Sequence, residues 1–183
     1  MTGSDPNDDR PFIKDLLEEH SKTIASVKEI ILADETGKEV YNKGDNPKRY
    51  DDIWTLRYIL SHKGNVKSAA KAALKTIKFR DEKKMNELGD IRHTLRNYGA
   101  GFEANGLPIL ELFNSCCGEN AAFITLPDPN RGLVLYCDLG QIDQYQVANK
   151  IDDEMLTEYV LHENEAVFQV LDNATRQTGR LTK

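Results

Sequence analysis

The sequence predicts a mostly helical α+β chain: a helical N-terminal bundle followed by the start of an α/β unit. Two observations carry that expectation. Apolar residues recur at spacings of three and four through residues 11–100 and again through 152–178. Only residues 121–126 (AAFITL) and 133–138 (LVLYCD) are short runs rich in strand formers, and the turn-rich segment 127–132 (PDPNRG) separates them. A lone β-hairpin is a poor basis for a stable sheet, so this pair reads as the beginning of a larger one.

In chain order, residues 1–10 (MTGSDPNDDR) are polar and acidic and are expected to form a disordered tail. They have no apolar segment of the kind a signal or transit peptide needs. From Pro11, the residues Ile13, Leu17, Ile24, Val27 and Ile31 predict one helix reaching about Leu32. His20 falls on that stripe as a helix-boundary or core histidine. Asp34 to Gly37 reads as the end of this helix, and a polar linker with Gly44, Asn46 and Pro47 follows.

Residues 51–80 (DDIWTLRYILSHKGNVKSAAKAALKTIKFR) form the most specific passage, two helices joined by a Gly64–Asn65 turn. Asp51 and Asp52 supply carboxylates at the first helix start. Ile53, Leu56 and Leu60 share one face, with Trp54 and Tyr58 beside it. Gly64 can take the left-handed conformation that ends a helix, and Asn65 can cap the next one. The second helix is expected to bury Val66, Ala69, Ala70, Ala73, Leu74 and Ile77, a small-residue face that lets a neighbour approach closely.

Met85, Leu88, Ile91, Leu95 and Tyr98 predict a further helix, broken at Gly99 and Gly101. Residues 101–120 read as a connector, in which 107–113 is a short helix or a covered loop. Residues 142–150 read as a second connector. Asp152 and Asp153 then open a long helix with Leu156, Val160, Val167, Val170, Leu171 and Ala174 inside, and Gly179 ends it.

Composition narrows the function. A net charge of -6 argues against a general nucleic-acid binder, though not against a local basic face. Three cysteines, an odd number, suggest reduced thiols in a cytoplasmic setting. No stretch approaches the ~20 apolar residues of a membrane span, so any membrane contact is expected to be peripheral. Gly99, Gly101 and Ala104 mimic a dinucleotide fingerprint but follow a helix instead of a strand. Cys116, Cys117 and Cys137 form no zinc-ligand pair, and the histidines are scattered, so no metal, no cofactor and no enzyme activity is expected.

Two features remain. Lys63, Lys67, Lys71, Lys75 and Lys78 line one side of the second hairpin helix, with no acidic residue between Ser61 and Arg80. That stripe is a solvated face or a surface that docks on anionic lipid headgroups. Glu163 lies on the apolar stripe of the last helix between Val160 and Val167. As a buried carboxylate it would need a cationic or hydrogen-bonding partner, in a structural salt bridge or a ligand contact.

Three motifs stand in a familiar order. A pattern of the form L-L-R-F-L-R-A-R-K-F-D-V-x-x-A-A, with an aromatic–Arg pair downstream, is matched by residues 55–66, then Ala69 and Ala70, then Phe79 and Arg80. A hairpin of the form D-x-x-G-R-P-V is matched by residues 128–134, ending in 138–140. Here Arg131 and Gly132 stand in reversed order, Leu133 replaces proline, and Ser61-His62 replace the usual Ala-Arg. A helix with a central glutamate is matched by Glu163 or Glu165 and by residues 174–180. In this succession the chain resembles the CRAL-TRIO family of phosphatidylinositol-transfer, α-tocopherol-transfer and retinaldehyde-binding proteins.

The resemblance implies an N-terminal helical module over residues 11–100 and the start of a lipid-binding domain over 121–183. In the family, further strands, a gating helix and most lipid-contacting residues come later, so the domain is expected to be truncated here and no ligand-binding residue carries over. It also implies a cytoplasmic, peripherally membrane-associated protein that sequesters a phospholipid or other hydrophobic ligand and transfers it without catalysis. The alternative expectation is a helical module, or a truncated product, that binds a protein partner at the open sheet edge and has no ligand.

Overall fold

The computed structural model describes residues 8–92, 111–112, 115–117, 123–125, 135–137 and 139–182. These residues are mostly helical, with eight α-helices among them. The chain divides into two compact units, Met1–Leu88 with Gly179–Leu181, and Gly89–Thr178 with Thr182–Lys183.

The first unit contains α1 (Ile13–Glu19), α2 (Ser21–Ala33), α3 (Glu35–Asn42), α4 (Asn46–Arg49), α5 (Asp52–Ser61) and α6 (Val66–Glu82). The single helix expected from Pro11 to Leu32 is two, because the backbone departs from helical geometry at His20 (φ -98°, ψ 8°). The apolar period survives the break: Ile13, Ile24, Val27 and Ile31 are all buried. Helix α2 packs on α3, α5 and α6, and α6 packs in turn on α3 and α5. Ala69, Ala70 and Ala73 of α6 are wholly buried, as are Leu56 and Ile59 of α5. Small side chains on α6 let its neighbours come close, which is how an alanine-rich helix forms the middle of a core.

The stretch expected to end the first helix does so, with α2 stopping at Asp34, and it also starts another helix. Asp34 accepts a hydrogen bond from the Gly37 amide at 2.8 Å and so caps α3. Gly37 itself is buried inside α3, where a Cβ would meet the Leu74 side chain and stand 2.7 Å from the Ile31 carbonyl oxygen. In an open helix Gly→Ala is stabilising by about 1 kcal/mol. Here the sign reverses. Gly37→Ala is expected to destabilise the unit by about 1–3 kcal/mol, the usual range for overpacking, read as a lowered thermal midpoint.

After α6 the chain makes a 3₁₀ turn, Met85–Glu87, and Gly89 takes φ +68°. The helix expected from Met85 therefore does not begin there; its later residues, Leu95 and Tyr98, lie outside the described residues. Asn86, in the turn, gathers a part-buried polar cluster. Arg80 Nε donates to Asn86 Oδ1 at 3.0 Å, Asn86 Nδ2 donates to the Tyr50 hydroxyl at 2.8 Å, and Arg49 donates to the Asn86 carbonyl at 3.2 Å. Tyr50 also opens an aromatic series, 4.8 Å from Trp54, which lies 4.6 Å from Tyr58 between ring centroids.

Helix α1 has no side-chain cap. Its first orphan amide is satisfied from far away in sequence: Ile13 donates to the Gly179 carbonyl at 2.9 Å, and Leu181 donates to the Pro11 carbonyl at 3.0 Å. Phe12 and Arg180 form the bridge between these backbones, with the Arg180 guanidinium 3.9 Å from the Phe12 ring centroid. Asp8 lies 2.7 Å from Arg10 and 3.5 Å from Arg180. The hydrogen bond from Arg10, helped by the charge of Arg180, holds its carboxyl well below the usual carboxylate range. Residues 8–10, expected in a disordered tail, are thus part of this unit; residues 1–7 lie outside the described residues.

In the second unit, Phe123–Thr125 (β1) pairs antiparallel with Leu135–Cys137 (β2), Ile124 opposite Tyr136. The turn expected at 127–132 lies outside the described residues, and among the described residues the sheet is this two-stranded pairing alone. Residues 142–150, expected as a connector, include a helix, α7 (Gln144–Lys150), whose first turn is capped by Asp143 through the Gln146 amide at 3.0 Å. Helix α8 (Asp153–Thr178) starts where the paired aspartates predict, with Asp152 accepting from the Met155 amide at 2.8 Å, and stops at Gly179 with φ +67°.

The buried face of α8 differs from the expected aliphatic stripe. Leu156 and Val160 are exposed, Val167, Val170 and Leu171 are half-buried, and of the expected set only Ala174 is buried. Tyr159, His162, Glu165 and Ala166 are buried in their place. This set is centred about 120° round the helix from the aliphatic one. Glu165 takes its buried place with a hydrogen bond from Gln169, and a count of aliphatic residues does not register that.

Candidate functional site

The lysine stripe is built by the turn between α5 and α6. Asp51 fixes the start of α5 by accepting from the Trp54 amide at 2.9 Å. At the other end Lys63 (φ 52°) and Gly64 (φ 78°) are both left-handed, and the Gly64 amide donates to the Ile59 carbonyl at 2.9 Å. Asn65 then caps α6 by accepting from the Ser68 amide at 2.9 Å. With α6 started at Val66 and its alanines turned inward, Lys67, Lys71 and Lys75 are forced outward and are exposed, as is Lys63 in the turn. None of these four side chains has an ion pair or hydrogen bond within the described residues.

Lys78 is different. Its ammonium stands 2.9 Å from Asp34, the same carboxylate that caps α3. The bond from Lys78, with those from the Gly37 and Thr36 amides, draws the Asp34 carboxyl below its ordinary value. Lys78 therefore ties α6 to the start of α3, and the free row is Lys63, Lys67, Lys71 and Lys75. The aromatic–Arg pair that follows is split by the helix: Arg80 is 7% exposed and joins the Asn86 cluster, whereas Phe79 is 38% exposed. Sequence spacing could have flagged Phe79, since it continues the four-residue repeat of Lys67, Lys71 and Lys75.

The other candidate, Glu163, is half-buried and has no hydrogen-bonding or ionic partner within the described residues. Burial alone pushes its carboxyl up from the ordinary 4.5. The carboxylate buried on α8 is Glu165, 2% exposed, which accepts from Gln169 Nε2 at 2.9 Å. Gln169 also donates to the Gly89 carbonyl at 2.8 Å and accepts from the Ile91 amide at 3.0 Å, fastening α8 to residues 89–91 of its own unit. A structural partner of the kind expected for Glu163 thus serves Glu165.

The raised carboxyl of Glu163 has a testable sign. Its folded value lies above the unfolded one, so no penalty exists at low pH, where both states are protonated. The penalty is full above the folded value. Glu163→Gln is expected to raise the unfolding midpoint at pH 7, with the gain vanishing as the pH falls below about 4.5, measured as urea midpoints across pH.

Two clefts accompany these features. In the first unit a groove of about 160 Å³ is bordered by Lys43, Asp45, Asp81, Lys84 and Glu87, with Lys43 and Asp81 paired across it at 3.0 Å. In the second a cleft of about 330 Å³ is bordered by Cys116, Cys117, Asp143 and Gln146. Among the described residues no group of three or more His, Cys, Asp or Glu side chains could hold a metal ion, and no helix is long and apolar enough to cross a membrane. Compared with protein-family models, curated proteins and solved structures, the chain matches none.

Proposed function

We propose that this chain is a non-enzymatic lipid-binding protein of the CRAL-TRIO kind, working in the cytoplasm and at membrane surfaces. Its first helical unit docks on an anionic bilayer, and a phospholipid or other hydrophobic molecule is its ligand. The observation that carries the docking half is the row of lysines on α6, exposed and unpaired over about two helical turns. The ordered motifs at residues 55–80, 128–140 and 163–180 support the ligand half. Apolar burial at about 25 cal/mol/Å² is what would hold such a ligand, and bilayer contact is what would let it exchange.

Native and denaturing mass spectrometry of protein purified from a lipid-rich host tests the ligand. A stoichiometric lipid is the expected result. Repeated absence of one, with no uptake from labelled liposomes, overturns it.

A second reading, a helical module for a protein partner, is favoured by Met155, Leu156 and Val160, which expose an apolar face on α8. Lipid-free protein whose self-association or partner binding is lost on Val160→Lys favours that reading.

A further inference from the structure

We propose that Phe79 is the membrane anchor of the lysine row, inserting into the headgroup–acyl boundary of an anionic bilayer while Lys67, Lys71 and Lys75 hold the helix against it. This rests on the docking reading above and adds the residue that enters the membrane.

Lys67, Lys71, Lys75 and Phe79 follow one another at four-residue steps. Each is therefore about one turn along α6 and about 40° round from the last, so the four span about 18 Å on one side of the helix. The opposite side, Ala69, Ala70, Ala73, Ile77 and Arg80, is buried. On this outward side Phe79 is the one large apolar group, and 38% of it is exposed. An aromatic ring left in water at the end of a cationic row needs a surface that takes both charge and apolar area. Lysine stems can lie along an interface with their ammonium groups in water, which lets the helix settle until the ring reaches the acyl boundary.

The nearby carboxylates do not neutralise the row. Asp34 is taken by Lys78 at 2.9 Å, Asp81 by Lys43 at 3.0 Å, and Glu82 by Lys83 at 3.4 Å. The row carries lysines and no arginine, point charges suited to a diffuse headgroup layer and lacking the planar fork that favours nucleic-acid phosphates and bases. Charge alone or one ring alone gives marginal binding, and the combination is the two-signal arrangement that holds peripheral proteins.

Sedimentation with anionic vesicles (phosphatidylserine in phosphatidylcholine) reads the two parts separately. Phe79→Ser is expected to weaken partitioning about tenfold at low and high salt alike. Replacing Lys67, Lys71 and Lys75 by Glu is expected to remove the salt-sensitive part. Phe79→Trp supplies a reporter: brominated acyl chains should quench it and shift its emission to the blue, whereas buried Trp54 of the unsubstituted protein should stay unquenched. Unchanged partitioning of the serine variant, or an unquenched Trp at 79, overturns the anchor while leaving lysine docking intact. Tighter binding to an oligonucleotide than to vesicles, or no vesicle binding by the unsubstituted protein, overturns the docking reading together with the anchor. The mass-spectrometric result on the ligand is independent of all of these.

Discussion

Replacing Asn86 by leucine is expected to destabilise the first unit by about 3 kcal/mol, the sum of a lost hydrogen bond to a charged group and the loss of a neutral one. Arg80 is almost wholly buried, and its Nε uses Asn86 Oδ1 as an acceptor. Tyr50 is wholly buried, and its hydroxyl accepts from Asn86 Nδ2. One small amide therefore serves a cation from α6 and a phenol from the residue after α4. Leucine has similar bulk and can satisfy neither. Urea unfolding followed by far-ultraviolet circular dichroism should show a lower midpoint with an unchanged slope, as expected when stability falls without a change in the surface exposed. Asn86→Asp should recover part of the loss, because a carboxylate restores the acceptor for Arg80. An unchanged midpoint for the leucine variant would mean that the remaining contacts of Arg80 and Tyr50 hold the cluster without Asn86.

The second large effect belongs to the lysine row. Each lysine near an anionic surface contributes about 1 kcal/mol, so reversing Lys67, Lys71 and Lys75 to glutamate should weaken vesicle binding by at least about a hundredfold at low salt. The same change should leave thermal stability within about 0.5 kcal/mol, because all three side chains are exposed and unpaired. The contrast between the two measurements is what separates a docking surface from an inert solvated one. At 0.5 M salt the difference between variant and original should largely disappear, since the screening length falls to a few ångströms. Equal binding of variant and original at low salt would return the row to the role of solvated exterior.

Local chemistry was readable wherever one side chain settles one backbone group. Asp51, Asn65 and Asp152 cap the helices that they were expected to cap, and Gly64 and Gly179 take the left-handed conformation at the ends where glycine was read as a stop. The buried alanines of α6 followed from their period alone. Asp34 ends α2 as expected, but the start of α3 at the same residue was missed, because an acidic residue followed by a glycine suits the end of one helix and the start of another. What decides is Gly37 lying against Leu74 and Ile31, and no local pattern reports that. Lys78 left the free row for the same kind of reason, since its partner Asp34 lies 44 residues earlier. On α8 the aliphatic count chose one face and the hydrogen bond between Glu165 and Gln169 belongs to another. Phe79 was visible in the spacing but was taken only as half of an aromatic–Arg motif.

The pairing of Pro11–Ile13 with Gly179–Leu181 governs the order in which the chain can fold. During synthesis α1 to α6 leave the ribosome long before the residues that complete their unit, and the Arg180-to-Arg10 contact spans 170 positions. The hairpin of α5 and α6 needs only neighbours and can form at once. The start of α1 must wait, with Ile13 lacking its acceptor until Gly179 arrives. Closing so long a loop costs little more than closing a moderate one, since that entropy grows only with the logarithm of length, but it comes last. A nascent chain halted before residue 179 should therefore carry a packed α2–α6 core and a frayed first helix, a difference that limited proteolysis of stalled chains would resolve.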